Sequence, residues 1–244
     1  QRLEKLDQRK TLLKPILQAL DRGKPADVLA ACTSLTEKDQ RFAPLCQRYK
    51  ADALRDLNQH DALESFLKMI LADRATPWAY AALGKLLFKR GKASEAQAIY
   101  ERAMIAFPMI PTLYDGLADV LVARGDARRA QSVLEDAVRL SPLAVRRQRL
   151  LGKLAMGNED FESASKAYRH AVSQGQYSRF KDPESNLGLA QALISKNGDK
   201  GLDARARVEI NQTLGEVAKE YGNDQGLQLR TRLMKATSLQ QSDP

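Results

Sequence analysis

Few side chains in this sequence could do acid–base, nucleophilic or metal chemistry. The two histidines, His60 and His170, are far apart, each at a polar position of a helical stretch. Solvated surface imidazoles are the reading that fits them. Cys32 and Cys46 stand alone, with no CxxC pair to complete a zinc site. Two free thiols of a reducing compartment are the simplest account, although spacing alone leaves a disulfide between them open. Glu159 and Asp160 are adjacent, but they fall at a turn, where Asp160 reads as the N-cap of a helix beginning at Phe161. Asp126 follows Gly125 in the same way. No GxSxG elbow, phosphate-binding loop or dinucleotide fingerprint is present. The expectation is a protein without catalysis, cofactor or metal.

What remains is charge, and elements to display it. Lys and Arg number 39 against 30 Asp and Glu, a net charge of +9 over 244 residues. The densest basic cluster is Arg146, Arg147 and Arg149, followed by Lys153. It could meet phosphates, and affinity would then fall steeply with salt. No basic run or groove-reading helix accompanies it, so nucleic acid is the least favoured partner. Aromatics are 6% of the chain and Gly and Pro number 14 and 9, a composition that favours helix over strand. No apolar run reaches the ~18 residues of a membrane span.

The organisation is a repeat. Gly84, Ala118 and Gly152 are spaced by 34 residues, and so are Ala96, Ala130 and Ala164. Tyr100, Leu134 and Tyr168 keep the same step, as do Ala103, Ala137 and Ala171. Leu83, Leu86 and Leu87 mark one amphipathic face. Gly91 and Gly125 fall where one helix must end and the chain reverse. Pro108 and Pro142 stop the second helix of each unit. Small residues in the first two columns let antiparallel helices approach, and the Tyr/Leu column fills the space between neighbouring pairs. Each pair has a face it cannot bury alone, so pairs must stack.

These columns, in the stretches YAALGKLLFKRGKASEAQAIYERAMIAFP, YDGLADVLVARGDARRAQSVLEDAVRLSP and QRLLGKLAMGNEDFESASKAYRHAVSQGQ, resemble the tetratricopeptide repeat over residues 77–178. The resemblance implies an all-α superhelical solenoid of stacked antiparallel helix pairs, about five to six pairs plus a C-terminal capping helix. It divides the chain into a linker helix and divergent first pair (1–42), repeats at 43–76, 77–110, 111–144 and 145–178, and a degenerate repeat with a cap (179–244). The turn NGDKG, residues 197–201, delays the partner helix of that last repeat, and the cap is expected to show a polar outer face. The family's tryptophan column holds Tyr80, Tyr114 and Gln148; the last departs from the pattern and is expected to weaken packing of its unit.

The family binds partners in a concave groove lined by first helices. The matching positions are Trp78, Lys85, Phe88 and Lys89, then Asp115 and Asp119, then Arg146, Arg149 and Lys153. Trp78 is either an exposed anchor or packed on the preceding unit. The Asn positions of the family's terminal-carboxylate clamp hold Lys85, Asp119 and Lys153, so that ligand is not expected.

Leu3, Leu6, Lys10, Leu13, Leu17 and Leu20 follow a heptad seam interrupted by Pro15. Residues 3–20 therefore either pack on the first repeat or form a homodimer. The order of segments from LDQRKTLLKPILQALDRGKPADVLAAC through YSRFKDPESNLGLAQALI resembles the C-terminal region of bacterial response regulators that join a receiver to tetratricopeptide repeats. The start at Gln1, without an initiator methionine, agrees with a removed receiver. The resemblance implies a cytoplasmic output module of two-component signalling that binds a signalling protein or peptide. A free-standing scaffold or co-chaperone is the alternative, and a basic nucleic-acid-binding repeat the third reading.

Overall fold

In a computed structural model the described residues, 2–179, 181–197 and 201–241, form helices joined by short turns; of residues 2–9 only the backbone is described. Two compact units form, Gln1–Ala106 and Phe107–Pro244.

The first unit holds α1 (Arg2–Asp21), α2 (Pro25–Lys38), a 3-10 turn (Gln40–Phe42), α3 (Ala43–Asp56), α4 (His60–Asp73), α5 (Pro77–Lys89) and α6 (Ala93–Ala106). The second holds α7 (Pro111–Ala123), α8 (Ala127–Leu140), α9 (Val145–Gly157), α10 (Phe161–Gly175), α11 (Pro183–Asn197), α12 (Ala204–Glu220) and α13 (Gln225–Gln240). Within each unit, helices adjacent in sequence pack on one another. This is the stacked helix-pair fold that the 34-residue period dictates.

Local sequence explains the boundaries. Proline opens α2, α5, α7 and α11, where its missing N–H costs nothing. The Asp126 carboxylate accepts the Arg129 N–H and Asp160 accepts the Ser163 N–H, both as N-caps. The reversals inside the pairs need a left-handed residue. Gly23, Gly91 and Gly125 take φ of +61°, +75° and +82°, and Asn58 takes +56°. The fifth such turn is occupied by Glu159 at +61°. A side chain there meets the steric penalty that glycine avoids. Glu159→Gly is therefore expected to raise stability by about 0.5–1 kcal/mol, read as a higher urea midpoint; an unchanged or lower midpoint would contradict it.

The conserved step of 34 has a direct packing meaning. A Cβ on Gly84 would lie 2.7 Å from the Tyr100 ring, and one on Gly152 would lie 2.8 Å from the Tyr168 ring. Tyr168 also presses on Gly188 of α11, so its ring bridges its own pair and the next one. Tyr114 and Gln148 differ in type but do the same job. The Tyr114 hydroxyl donates to the Pro108 carbonyl (2.8 Å), and the Gln148 amide donates to the Pro142 carbonyl (3.1 Å). Gln148 is buried and satisfied, so its departure from the aromatic pattern does not leave the weakened contact expected of it.

Two sequence expectations meet a different arrangement at the ends. On α1, Ile16 and Ala19 are buried with the α2–α3 core and Leu13 packs beside them, whereas the seam residues Leu17 and Leu20 are exposed. Leu3 and Leu6 lie outside the described side chains. On α13 the outward face mixes leucines with polar residues such as Arg230, Arg232 and Gln240. Leu229 and Leu233 are 59% exposed and Leu239 is 67% exposed, while Thr231 and Ser238 are buried. Residues 198–200 of the inserted turn and residues 242–244 fall outside the described chain.

The cysteines meet inside the first unit. Cys32 and Cys46 are free and buried, side by side in the α1–α3 core. Burial, reinforced by the neighbouring Cys46 thiol, pushes the Cys32 thiol up to about 12. A thiol held protonated in this way is a poor nucleophile.

Candidate functional site

A cleft of about 1260 Å³ opens within the second unit. Most of its lining comes from α7, α9, α11 and α13, the alternate helices of the stack, with Leu143 and Ala144 ahead of α9 and Tyr168 of α10. The floor is apolar, made of Val145, Leu150, Met156, Leu187 and Met234, with the Tyr168 ring packed between two glycines. Tyr168 is almost fully buried, so it shapes the floor without offering a stacking surface.

Charged residues at the rim divide into two groups. The first group braces the helices. Arg147 forks onto Asp115 of α7 through two hydrogen bonds of 2.7 and 2.6 Å, and also reaches the Ser141 hydroxyl. The Asp115 hydrogen bond raises the Arg147 guanidinium pKa further. Arg149 meets Asp182, just ahead of α11, at 2.9 Å. Arg230 of α13 forks onto Glu184 of α11 at 2.6 and 3.0 Å, which holds the Glu184 carboxyl below its usual range. Asp182 also accepts the Ser185 N–H, so one carboxylate caps α11 and anchors α9.

The second group is left over. Arg146 and Lys153 are exposed and line the cleft without a hydrogen-bond or ion-pair partner among the described residues. On α9 they stand at i and i+7, and Leu150 stands at i+4. The three therefore form one stripe on the cleft side. Leu150 is 37% exposed, apolar surface open to the cleft. Three arginines near the N-terminus of α9, with no acidic residue in its first turn, run against the helix dipole. Asp115 and Asp182 compensate two of them; Arg146 is not compensated.

Of the residues expected from sequence, Asp115, Asp119, Arg146, Arg149 and Lys153 all line this cleft. They do not share one role: Asp115 and Arg149 are engaged in bracing pairs, and Arg146 and Lys153 are not. Trp78, Lys85, Phe88 and Lys89 lie on α5 of the first unit. There Trp78 and Phe88 are half-buried, and Lys85 and Lys89 are exposed. Sequence reasoning did not single out Leu150, Glu184, Arg230 or Met234. Leu150 was detectable as the i+4 neighbour of Arg146. The other three lie beyond the clean repeats and gave no signal. His60 and His170 are both exposed, and among the described residues no cluster of three His, Cys, Asp or Glu could hold a metal.

Similarity to known proteins agrees with this architecture. Residues 116–178 match the tetratricopeptide repeat family. Nothing among the curated proteins matches the chain. Among solved structures, PilF of Pseudomonas aeruginosa is 15% identical, with a TM-score of 0.63 over 93% of this chain and 96% of that one. PilW, a type IV pilus biogenesis factor, is 11% identical, with a TM-score of 0.60 over 90% of this chain and 96% of that one. YrrB, a tetratricopeptide protein described as having an unusual peptide-binding site, is 18% identical, with a TM-score of 0.60 over 83% of this chain and 97% of that one. At these identities the likeness establishes the fold: an all-α stack of tetratricopeptide-type helix pairs. Among the described residues no helix is long and apolar enough to cross a membrane.

Proposed function

We propose that this protein is a non-catalytic protein-interaction module whose second unit holds a segment of a partner protein in the α7–α13 cleft. The observation that carries this reading is the unpaired Arg146–Leu150–Lys153 stripe inside a concavity larger than a typical small-molecule pocket. Ion pairs brace the helices around it, so the cleft is preformed and little ordering is needed on binding. YrrB, with its peptide-binding site, supports the reading by analogy of fold.

The finer reading is the output region of a bacterial two-component response regulator acting in the cytoplasm. It rests on sequence resemblance, and a free-standing scaffold fits the fold equally well. Buried thiols at Cys32 and Cys46 suit a reducing compartment. The exposed Leu17 and Leu20 on α1 support self-association through residues 3–20. The gene ahead of the Gln1 codon separates the two readings, since only the response regulator requires strand–helix alternation with clustered aspartates there.

The cleft itself is tested in cells by photo-cross-linking. A benzophenone amino acid in place of Leu150 should capture a partner, and one in place of exposed Lys166 on α10 should not. Equal capture from both positions, or capture from Lys166 alone, would remove the cleft from the proposed function.

A further inference from the structure

We propose that the occupant of the α7–α13 cleft is an acidic amphipathic helix that sets one carboxylate against Arg146, an apolar side chain against Leu150 and a second carboxylate against Lys153. This deepens the reading above and rests on it.

The spacing supplies the geometry. Arg146 and Lys153 are separated by seven helical residues, about 10.5 Å along α9. Glutamates at i and i+7 of a partner helix reproduce that distance on one face, and the residue at i+4 falls between them. A cleft of about 1260 Å³ holds roughly three turns of a 10-Å-wide helix at 5.4 Å pitch, enough for such a pair with a turn to spare.

Charge selects the sign of the partner. Arg147, Arg149 and Arg230 are already neutralised by Asp115, Asp182 and Glu184. The uncompensated charge is that of Arg146 and Lys153, both cationic, and both beside apolar surface where water is displaced on binding. Pairing them with carboxylates gives charge-assisted hydrogen bonds. A cationic segment would leave both repelled.

Nucleic acid, the other polyanion, fits less well. Arg146 and Lys153 are two uncompensated cations about two helical turns apart, too few to follow a continuous phosphate backbone. The Tyr168 ring is buried against glycines, so it offers no base-stacking platform. Leu150 and Met234 present apolar surface that suits leucine-like side chains better than sugars and phosphates.

The test uses the whole chain and three blocked helical peptides of identical Ala/Leu framework, with Glu, Gln or Lys at the i and i+7 positions, read by fluorescence anisotropy. The Glu peptide should bind about tenfold or more tighter than the Gln and Lys peptides, and should weaken with salt. The Arg146→Glu/Lys153→Glu variant changes two exposed side chains and should keep the wild-type unfolding midpoint. It should reverse the order, so that the Lys peptide becomes the tightest. Equal binding of the Glu and Gln peptides would overturn the acidic assignment while leaving the cleft in use. Binding of a single-stranded oligonucleotide without the Glu peptide would assign the stripe to nucleic acid. Binding of no peptide would overturn this inference, and the cross-linking from position 150 would then report separately whether the cleft is used at all.

Discussion

Tyr168→Ala is expected to lower the unfolding free energy by about 3–5 kcal/mol, the range for truncating a buried aromatic side chain. The ring is 7% exposed and belongs to the core that includes Leu187, Ala190 and Leu193 of α11. It also lies against Gly152 of α9 and Gly188 of α11, two residues with no side chain to fill the vacated space. Collapse around the cavity is therefore limited, and the cost should sit towards the upper end of that range. The check is urea unfolding of the second unit. Tyr168→Phe, which keeps the ring and removes only the hydroxyl, should lose far less. A loss under about 1 kcal/mol for the alanine variant, below the range for a buried aromatic, would show that the ring does not join the two pairs.

Gly188→Ala should destabilise by about 2 kcal/mol, although alanine is the better helix former by about 1 kcal/mol. A Cβ at position 188 would press directly on the Tyr168 ring, and the ring has no free side to move towards because Gly152 lies against it as well. Gly215 in α12 supplies the opposite case. A Cβ there meets nothing within 4 Å, so Gly215→Ala should stabilise by about 0.5–1 kcal/mol. The sign difference between two Gly→Ala changes in helix interiors is the measurement. The repeats contain the compensation already: tyrosine accompanies glycine at Gly84–Tyr100 and Gly152–Tyr168, whereas alanine accompanies leucine at Ala118–Leu134. Tyr168→Leu should accordingly recover part of the Gly188→Ala loss, a favourable coupling in a double-mutant cycle. Stabilisation by Gly188→Ala would refute the contact.

That covariation within one chain is why so much of the fold was legible. The Gly/Ala, Ala, Tyr/Leu and Ala columns recur because each pair meets its neighbour through the same few positions. The turn residues were equally readable at Gly91 and Gly125, where positive φ calls for glycine, and the caps at Asp126 and Asp160 act over three residues. Gln148 was misread because residue type suggested a lost aromatic contact. The hydrogen bond to Pro142 that replaces it depends on the orientation of one side chain.

The candidate site was legible in part. Five of the nine expected residues line the cleft, because the two helices that carry them, α7 and α9, follow from the repeat. Which of their charges remain free did not follow. Arg147 and Asp115 are 32 residues apart, and Arg230 and Glu184 are 46 apart. No local periodicity relates such partners.

The sequence by itself determined an all-helical chain, its 34-residue period, the positions of its turns and the basic cluster of Arg146, Arg147, Arg149 and Lys153. These depend on contacts within a turn or within a repeated pair, where spacing alone sets the neighbours. Only the tertiary structure decided that Arg147, Arg149 and Arg230 are neutralised, that Arg146 and Lys153 are not, and that α13 buries Thr231 and Ser238 while exposing Leu229 and Leu233. The net charge of a cleft is a sum over pairs distant in sequence, and it exists only once the helices have packed.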